Sequence, residues 1–341
     1  MGPSFKSILE IILEKITRVF SLLEAIKVAL LYAIINSIIS AIITGLYMTT
    51  DIKLSFKKDF INLVTFIVSL LISARTSNAY NRYLEGQSLW TKIRLTILNL
   101  AGFIRINITD EEQKEHYTNI LIYLVITVKD YLLTDSKDMA VNSGVKINIE
   151  EIKEMKEIIE KINNYNEDTL RKRLHLIILN LNLFTYEQEK KENEEKDKPS
   201  KVNYDKLRDG IHTLTECLSS LEKIDRSIPF AYSTLLSVTT WIFSLSLSFQ
   251  LVTDLEWITV PIIFFSTLFL FGIIELAKEI ENPFGIDVHD LDLDKFCEDI
   301  WRDTKFIMTD NEKNIKNFCN KELECIKKFK EIKNNETKIN I

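Results

Sequence analysis

Six acidic residues crowd one short stretch near the C-terminal end of this 341-residue chain: Asp287, Asp290, Asp292, Asp294, Glu298 and Asp299. Oxygen donors at that density suit a hard divalent cation, which gathers six to eight oxygens when it is calcium. The twelve-residue calcium loop of EF-hands does not fit, however. Started at Asp290, it puts Lys295 where a glycine must make the sharp turn and Trp301 where a bidentate glutamate must close the shell. The same acids also suit a helix start, where the dipole favours negative charge. The remaining reactive side chains are dispersed. Cys217, Cys297, Cys319 and Cys325 have no metal or redox spacing and read as reduced structural thiols. The four histidines stand at no ligand spacing from one another. The sequence carries no phosphate-cradling glycine loop and no nucleophile elbow. A membrane-anchored helical enzyme or scaffold, the reading that would need such a cluster, finds no support, and the chain reads as a non-enzyme.

The elements that carry these residues are legible from charge distribution. Apolar residues make up 46% and charged ones 27%, values that a soluble protein could show. Yet Val28 to Met48 and Ile228 to Thr253 contain no charge at all, and each exceeds the roughly 20 residues that a helix needs to cross a hydrocarbon core. Trp257 to Ile274 is a third uncharged run, slightly short. Phe60 to Ala74 is a marginal fourth, interrupted by Asn62, Thr65, Ser69 and Ser73. A multi-pass integral membrane protein is expected, in the plasma or cell membrane. No cleaved leader is expected, because the first run starts late and lacks a small-residue cleavage site.

Between the second and third runs the chain is polar but periodic. Tyr117, Ile120, Leu121, Leu124, Val128 and Tyr131 recur at intervals suited to one helix face. So do Ile152, Met155, Ile159 and Ile162, and Leu170, Leu174, Ile177 and Leu181. Strand-like alternation is missing, so the fold class is all-α. Glu187 to Lys201 is nearly free of apolar residues and reads as a solvated loop. The expected organisation is 1–75 with spans at about 28–48 and 58–75, a helical region 76–227, spans within 228–278, and an acidic turn with C-terminal helices over 279–341. Lys6, Lys15, Arg18 and Lys27 precede the first span and Lys223 and Arg226 the third, which places both termini and the middle region in the cytoplasm. Lys53, Lys57 and Lys58 oppose that bias and are outvoted.

Three stretches resemble a known family. Arg75-Thr-Ser-Asn-Ala-Tyr-Asn-Arg-Tyr-Leu-Glu-Gly-Gln-Ser-Leu-Trp90 is similar to the segment after the second span of bestrophins. Ile228-Pro-Phe-Ala-Tyr232 resembles the entry to their third span, and Glu281-Asn-Pro-Phe-Gly-Ile-Asp-Val-His-Asp-Leu291 the motif after their fourth. The wording is nearest to the bacterial-type branch, and the resemblance covers roughly Ile11 to Phe306.

The resemblance implies a four-span, bestrophin-like pentameric channel with one axial pore, passing chloride or other small anions; a cation-selective channel of the same fold is the alternative. It places the pore neck at Phe66, Leu70 and Ala74 on the second span, although the adjacent Thr65, Ser69 and Ser73 form a polar face that could equally meet water. It places a cytosolic aperture at Ile211, and Arg75 and Arg82 near the cytoplasmic mouth, where positive charge would enrich anions; salt-bridged arginines are the other reading. In eukaryotic members the turn after the fourth span helps form a calcium clasp, and Glu279, Asn282, Asp287 and Asp290 stand at its positions. The bacterial branch carries similar wording without needing calcium. There Asp290 would cap the following helix and Asn-Pro-Phe-Gly would fix the turn. The expected partners are further copies of the chain, membrane lipid and small ions, with no nucleic acid and no certain cofactor.

Overall fold

The structure, a computed structural model, describes residues 5–50, 58–134, 167–194, 202–225, 230–285 and 289–309. These residues form eight α-helices and no strand: α1 (Phe5–Thr49), α2 (Lys58–Asn107), α3 (Glu111–Thr134), α4 (Glu167–Glu194), α5 (Asp205–Asp225), α6 (Phe230–Leu255), α7 (Thr259–Glu281) and α8 (Leu293–Thr309). Three apolar stretches are long enough to cross a membrane, Ile26–Thr49, Ile61–Asn107 and Tyr232–Glu281. Helix is the form such stretches must take, since a bilayer core offers no water to satisfy the backbone. The last stretch is broken by one 3₁₀ turn, Glu256–Ile258, entered through Glu256 at φ 50°. It therefore contains two helices of 26 and 23 residues, about 39 and 35 Å long at 1.5 Å per residue, and each can span by itself.

The chain divides into two compact units, 1–92 with 130–143 and 216–293, and 93–129 with 144–215 and 294–341. In the first, α1, α6 and α7 pack as a bundle. Trp241 meets Phe271, and three residues further along α6 Ser244 meets Thr267, four residues back on α7, so the two helices are antiparallel. Tyr32 and Asn36 of α1 complete the two layers: an aromatic triad of Tyr32, Trp241 and Phe271, and a polar triad of Asn36, Ser244 and Thr267. Ser40, Thr44, Thr240 and Ser248 continue the buried polar line. Small residues let spanning helices approach closely where lipid supplies no hydrophobic drive between them.

In the second unit α3 is the most enclosed helix. Leu121, Leu124, Val125 and Val128 are buried, as are Leu170, Leu174, Ile177 and Leu181 of α4, as their periodicity predicts. Phe184 stacks on Tyr117 at 3.5 Å between ring centres. The amphipathic pattern at Ile152 to Ile162 lies outside the described residues.

Two expectations are corrected. Residue 75 is not a helix end: α2 runs unbroken from Lys58 to Asn107, so the marginal fourth run is the start of a 50-residue helix. Nor is Glu187 to Lys201 a loop throughout. Its first half is the last two turns of α4, with Gln188 and Glu192 buried, and Glu192 Oε1 accepts a 2.7 Å hydrogen bond from the Val202 N–H. Hydrogen bonding to neighbouring elements holds charged residues there that composition alone assigns to solvent.

Candidate functional site: the second span and the turn docked on it

The buried stripe of α2 in the first unit is Ile61, Val68, Ile72, Arg75 and Ala79. Phe66 and Leu70 point the other way, 67% and 61% exposed, and Ala74 is exposed with them. Thr65, Ser69 and Ser73 are exposed as well. At about 100° per residue, Phe66, Leu70 and Ala74 centre about 170° around the helix from the buried stripe, whereas Thr65, Ser69 and Ser73 centre about 90° from it. The apolar face thus looks straight away from the helices that α2 packs against, and the small polar face lies on the flank.

Directly after Ala74 the helix presents Arg75, Ala79, Arg82 and Gly86, spaced so that all four share one side. Arg75 is only 3% exposed, and its Nη2 donates to Glu281 Oε2. Arg82 Nη2 donates to the Ile224 carbonyl, in the last turn of α5, and Arg82 Nη1 lies 3.7 Å from Glu281 Oε1. Glu281 is the final residue of α7, where a carboxylate opposes the helix dipole. The two guanidiniums offset that opposition. At Gly86 an added Cβ would stand 3.2 Å from the Phe284 ring and 3.3 Å from Pro283, so the bare backbone is what lets the fully buried Phe284 seat against α2.

The turn itself is tied internally. The Phe284 N–H donates to Asn282 Oδ1 at 3.3 Å, and the Leu291 N–H donates to the Pro283 carbonyl at 3.0 Å. The Asp290 carboxylate lies on the α-carbon side of Gly285, where a Cβ would collide with it. Asp292, not Asp290, immediately precedes α8, so the expected cap falls at the wrong residue. Asp287 lies outside the described residues. Among those described, no three His, Cys, Asp or Glu side chains converge on a point that could hold a metal. Of the four clasp positions, Asn282 already accepts one backbone hydrogen bond through Oδ1. The later acids are ion-pair partners within the second unit. Asp294 meets Lys129 at 2.9 Å, and Asp303 meets Arg94, with Asp299 at 3.8 Å from the same guanidinium.

Two further expectations change. Arg75 and Arg82 share the Glu281 carboxylate and Arg82 adds a carbonyl contact, the salt-bridged arrangement of the two readings. Ile211 is 2% exposed, a core residue of α5 that cannot present its side chain to an aqueous aperture. Sequence reasoning missed Glu281 and Phe284 as the partners of this helix face. The signal was available in the period of Arg75, Ala79, Arg82 and Gly86.

A family model described as Bacterial/Fungal Bestrophin protein matches residues 11–305. A voltage-dependent anion channel-forming protein of Nostoc sp. is 27% identical over 251 residues, covering 70% of this chain and 73% of that protein. Another so named, from Escherichia coli, is 24% identical over 255 residues, covering 74% and 77%. A crystal structure of a bacterial bestrophin homologue from Klebsiella pneumoniae, carrying a mutation, superimposes with a TM-score of 0.64 at 22% identity, covering 84% of this chain and 99% of that one.

Proposed function

The chain belongs to the bacterial and fungal bestrophin family, and from that premise we propose that it is an anion channel of the cell membrane, assembled as a homopentamer around an axial pore. It is an integral membrane protein, and its family is one of channels rather than enzymes. Relatives named as anion channel-forming proteins support the ion class. The observation that carries the mechanism is the direction of Phe66 and Leu70, opposite the face by which α2 is buried in its protomer. In a ring with α2 innermost, the side facing away from the protomer faces the axis. Phe66, Leu70 and Ala74 then form stacked rings of five, and Thr65, Ser69 and Ser73 fall on the flank, where small residues allow neighbouring α2 helices to approach.

An ion entering an apolar ring loses hydration without gaining ligands, so such a neck gates by dewetting. Ala74 makes its cytoplasmic end wider. Arg75 and Arg82 share the one Glu281 carboxylate inside the protomer, so they supply at most part of the anion preference. That same observation keeps a cation-selective pore of this fold as the second reading. Recording the purified protein in planar bilayers under a potassium chloride gradient separates the two: a reversal potential near the chloride equilibrium value supports the first, and one near the potassium value replaces it with the second. Both termini and the region between α2 and α6 face the cytoplasm in this reading. A cysteine at Asp254 is then labelled by an impermeant reagent from outside, and one at Glu194 is not.

A further inference from the structure

We infer that Glu281 is a positioning residue for the pore: together with Phe284 it grips the back of α2 through Arg75, Arg82 and Gly86 and so fixes the rotation at which Phe66 and Leu70 meet the axis. The inference rests on the channel reading for its consequence, but its geometry is independent of it. The gripped face, Arg75, Ala79, Arg82 and Gly86, centres about 150° around α2 from the neck face. The first grip, Arg75, follows the last neck residue directly in sequence. Because α2 is one continuous helix, turning it at Arg75 turns the neck with it.

Each contact resists rotation in a different way. The Arg75–Glu281 pair is almost wholly withdrawn from solvent, and such a pair is directional because breaking it strands a charge away from water. Arg82 adds a second guanidinium on the same carboxylate and ties α2 to the end of α5. Phe284 on Gly86 is a steric contact, since even a Cβ at 86 would stand 3.2 Å from the ring and force it to yield by a few tenths of an ångström. Arg75 Nη1 has no protein partner among the described residues, so Glu281 carries the anchoring of that side chain. The Asn-Pro-Phe-Gly turn thereby acquires a role that needs no metal: it holds Glu281 and Phe284 at the two ends of one helix face.

The test uses the full-length protein with two readouts: the yield of oxidative cross-linking between copies carrying Leu70→Cys, and single-channel open probability with Leu70 intact. Glu281→Gln removes the charge but keeps the size. The expected result is a several-fold fall in cross-link yield and a several-fold change in open probability, at unchanged oligomer size by gel filtration. Glu281→Asp should restore most of both. Phe284→Ala should reproduce the change from the other end of the grip. If Glu281→Gln fails to assemble, Arg75→Lys replaces it, keeping the charge while losing the fork. Asp294→Ala, which breaks an ion pair in the other unit, serves as the control for general loosening. Assembled Glu281→Gln channels with unchanged cross-linking and gating would overturn the inference, as would an equal effect from Asp294→Ala. A parent protein that cross-links normally but passes no current would sink the channel reading, while the cross-link yields still decide the grip.

Discussion

Asn36 Nδ2 donates a 2.8 Å hydrogen bond to Thr267 Oγ1 inside a bundle of membrane-spanning helices, with both residues fully buried. The same nitrogen also reaches Ser244 Oγ, and the two hydroxyls lie 2.8 Å apart. Three helices therefore meet at one polar point, which fixes their register more sharply than apolar packing alone. Asn36→Leu removes the amide but leaves Ser244 and Thr267 to bond each other, so its cost should be modest, about 1 kcal/mol. Thermal unfolding of the detergent-solubilised protein should fall by a few degrees with oligomer size preserved. An unchanged melting temperature would show that the triad holds nothing.

The turn after α7 offers a sharper test. An L-residue at Gly285 places its Cβ against the tip of the Asp290 side chain, which can swing aside. Gly285→Ala should therefore cost less than about 1 kcal/mol, well short of overpacking a rigid core. Calcium, by contrast, should shift neither melting temperature nor current, and Asp287→Ala should leave both unchanged. A calcium-dependent rise in melting temperature that Asp287→Ala abolishes would restore the metal reading.

Much of this was legible in the residues. Charge-free runs of spanning length admit one structure in a bilayer, so Val28 to Met48 and Ile228 to Thr253 announced their helices. The alternating four- and three-residue spacing of Leu170, Leu174, Ile177 and Leu181 likewise marked the buried side of α4. What stayed hidden was partnership over long separations. Nothing local says that Arg75 will find Glu281 more than two hundred positions away, so exposure was the natural expectation for a charge beside a span. Ile211 failed for a related reason. Counting back from a motif gives a position but not a helix face, and one residue is a rotation of about 100°. The exposed direction of α2 was open for the same cause until its buried stripe was known.

Lys129 and Asp294 predict an asymmetry. Lys129 is 1% exposed and its ammonium lies 2.9 Å from the half-exposed Asp294 carboxylate. Removing the carboxylate takes a partner from a buried ammonium, whereas removing the lysine leaves a carboxylate that can turn to water. Asp294→Ala should thus destabilise by about 3 kcal/mol and Lys129→Met by clearly less. Denaturant unfolding of the two variants would show it, and equal losses would mean that Lys129 is held by its other contacts.

Alkali should loosen the second unit through two tyrosines. Burial pushes the Tyr204 hydroxyl above its ordinary value of 10.0, and the nearby Glu192 carboxylate pushes in the same direction. Tyr117 is raised by burial and then by Glu187. A group that holds its proton more tightly when folded contributes stability that is complete below the unfolded value and is lost as pH climbs through the folded one. Melting temperature should therefore be flat to about pH 10 on account of these two groups and decline above it. Tyr204→Phe keeps the ring against Phe103, at 5.9 Å between centres, and should flatten part of the decline. A variant that falls as steeply as the parent would assign alkaline loss elsewhere.

The neck assignment is decided by two substitutions on adjacent faces. Leu70 is exposed on the side of α2 opposite its buried stripe, and Ser69 lies one step around the helix on the flank. If Leu70 forms the narrowest apolar ring, Leu70→Ala widens it and lowers the cost of wetting, so open probability rises while assembly is kept. A bulky side chain at position 69 would instead press on the neighbouring α2, so Ser69→Leu should weaken the oligomer before it blocks current. The two outcomes separate on gel filtration and in bilayers. A channel that assembles normally with Ser69→Leu yet conducts nothing, beside a Leu70→Ala channel indistinguishable from the parent, would mean that the hydroxyl stripe faces the ion. The whole helix would then have to sit about 80–100° from the rotation that its buried stripe and the Glu281 grip impose.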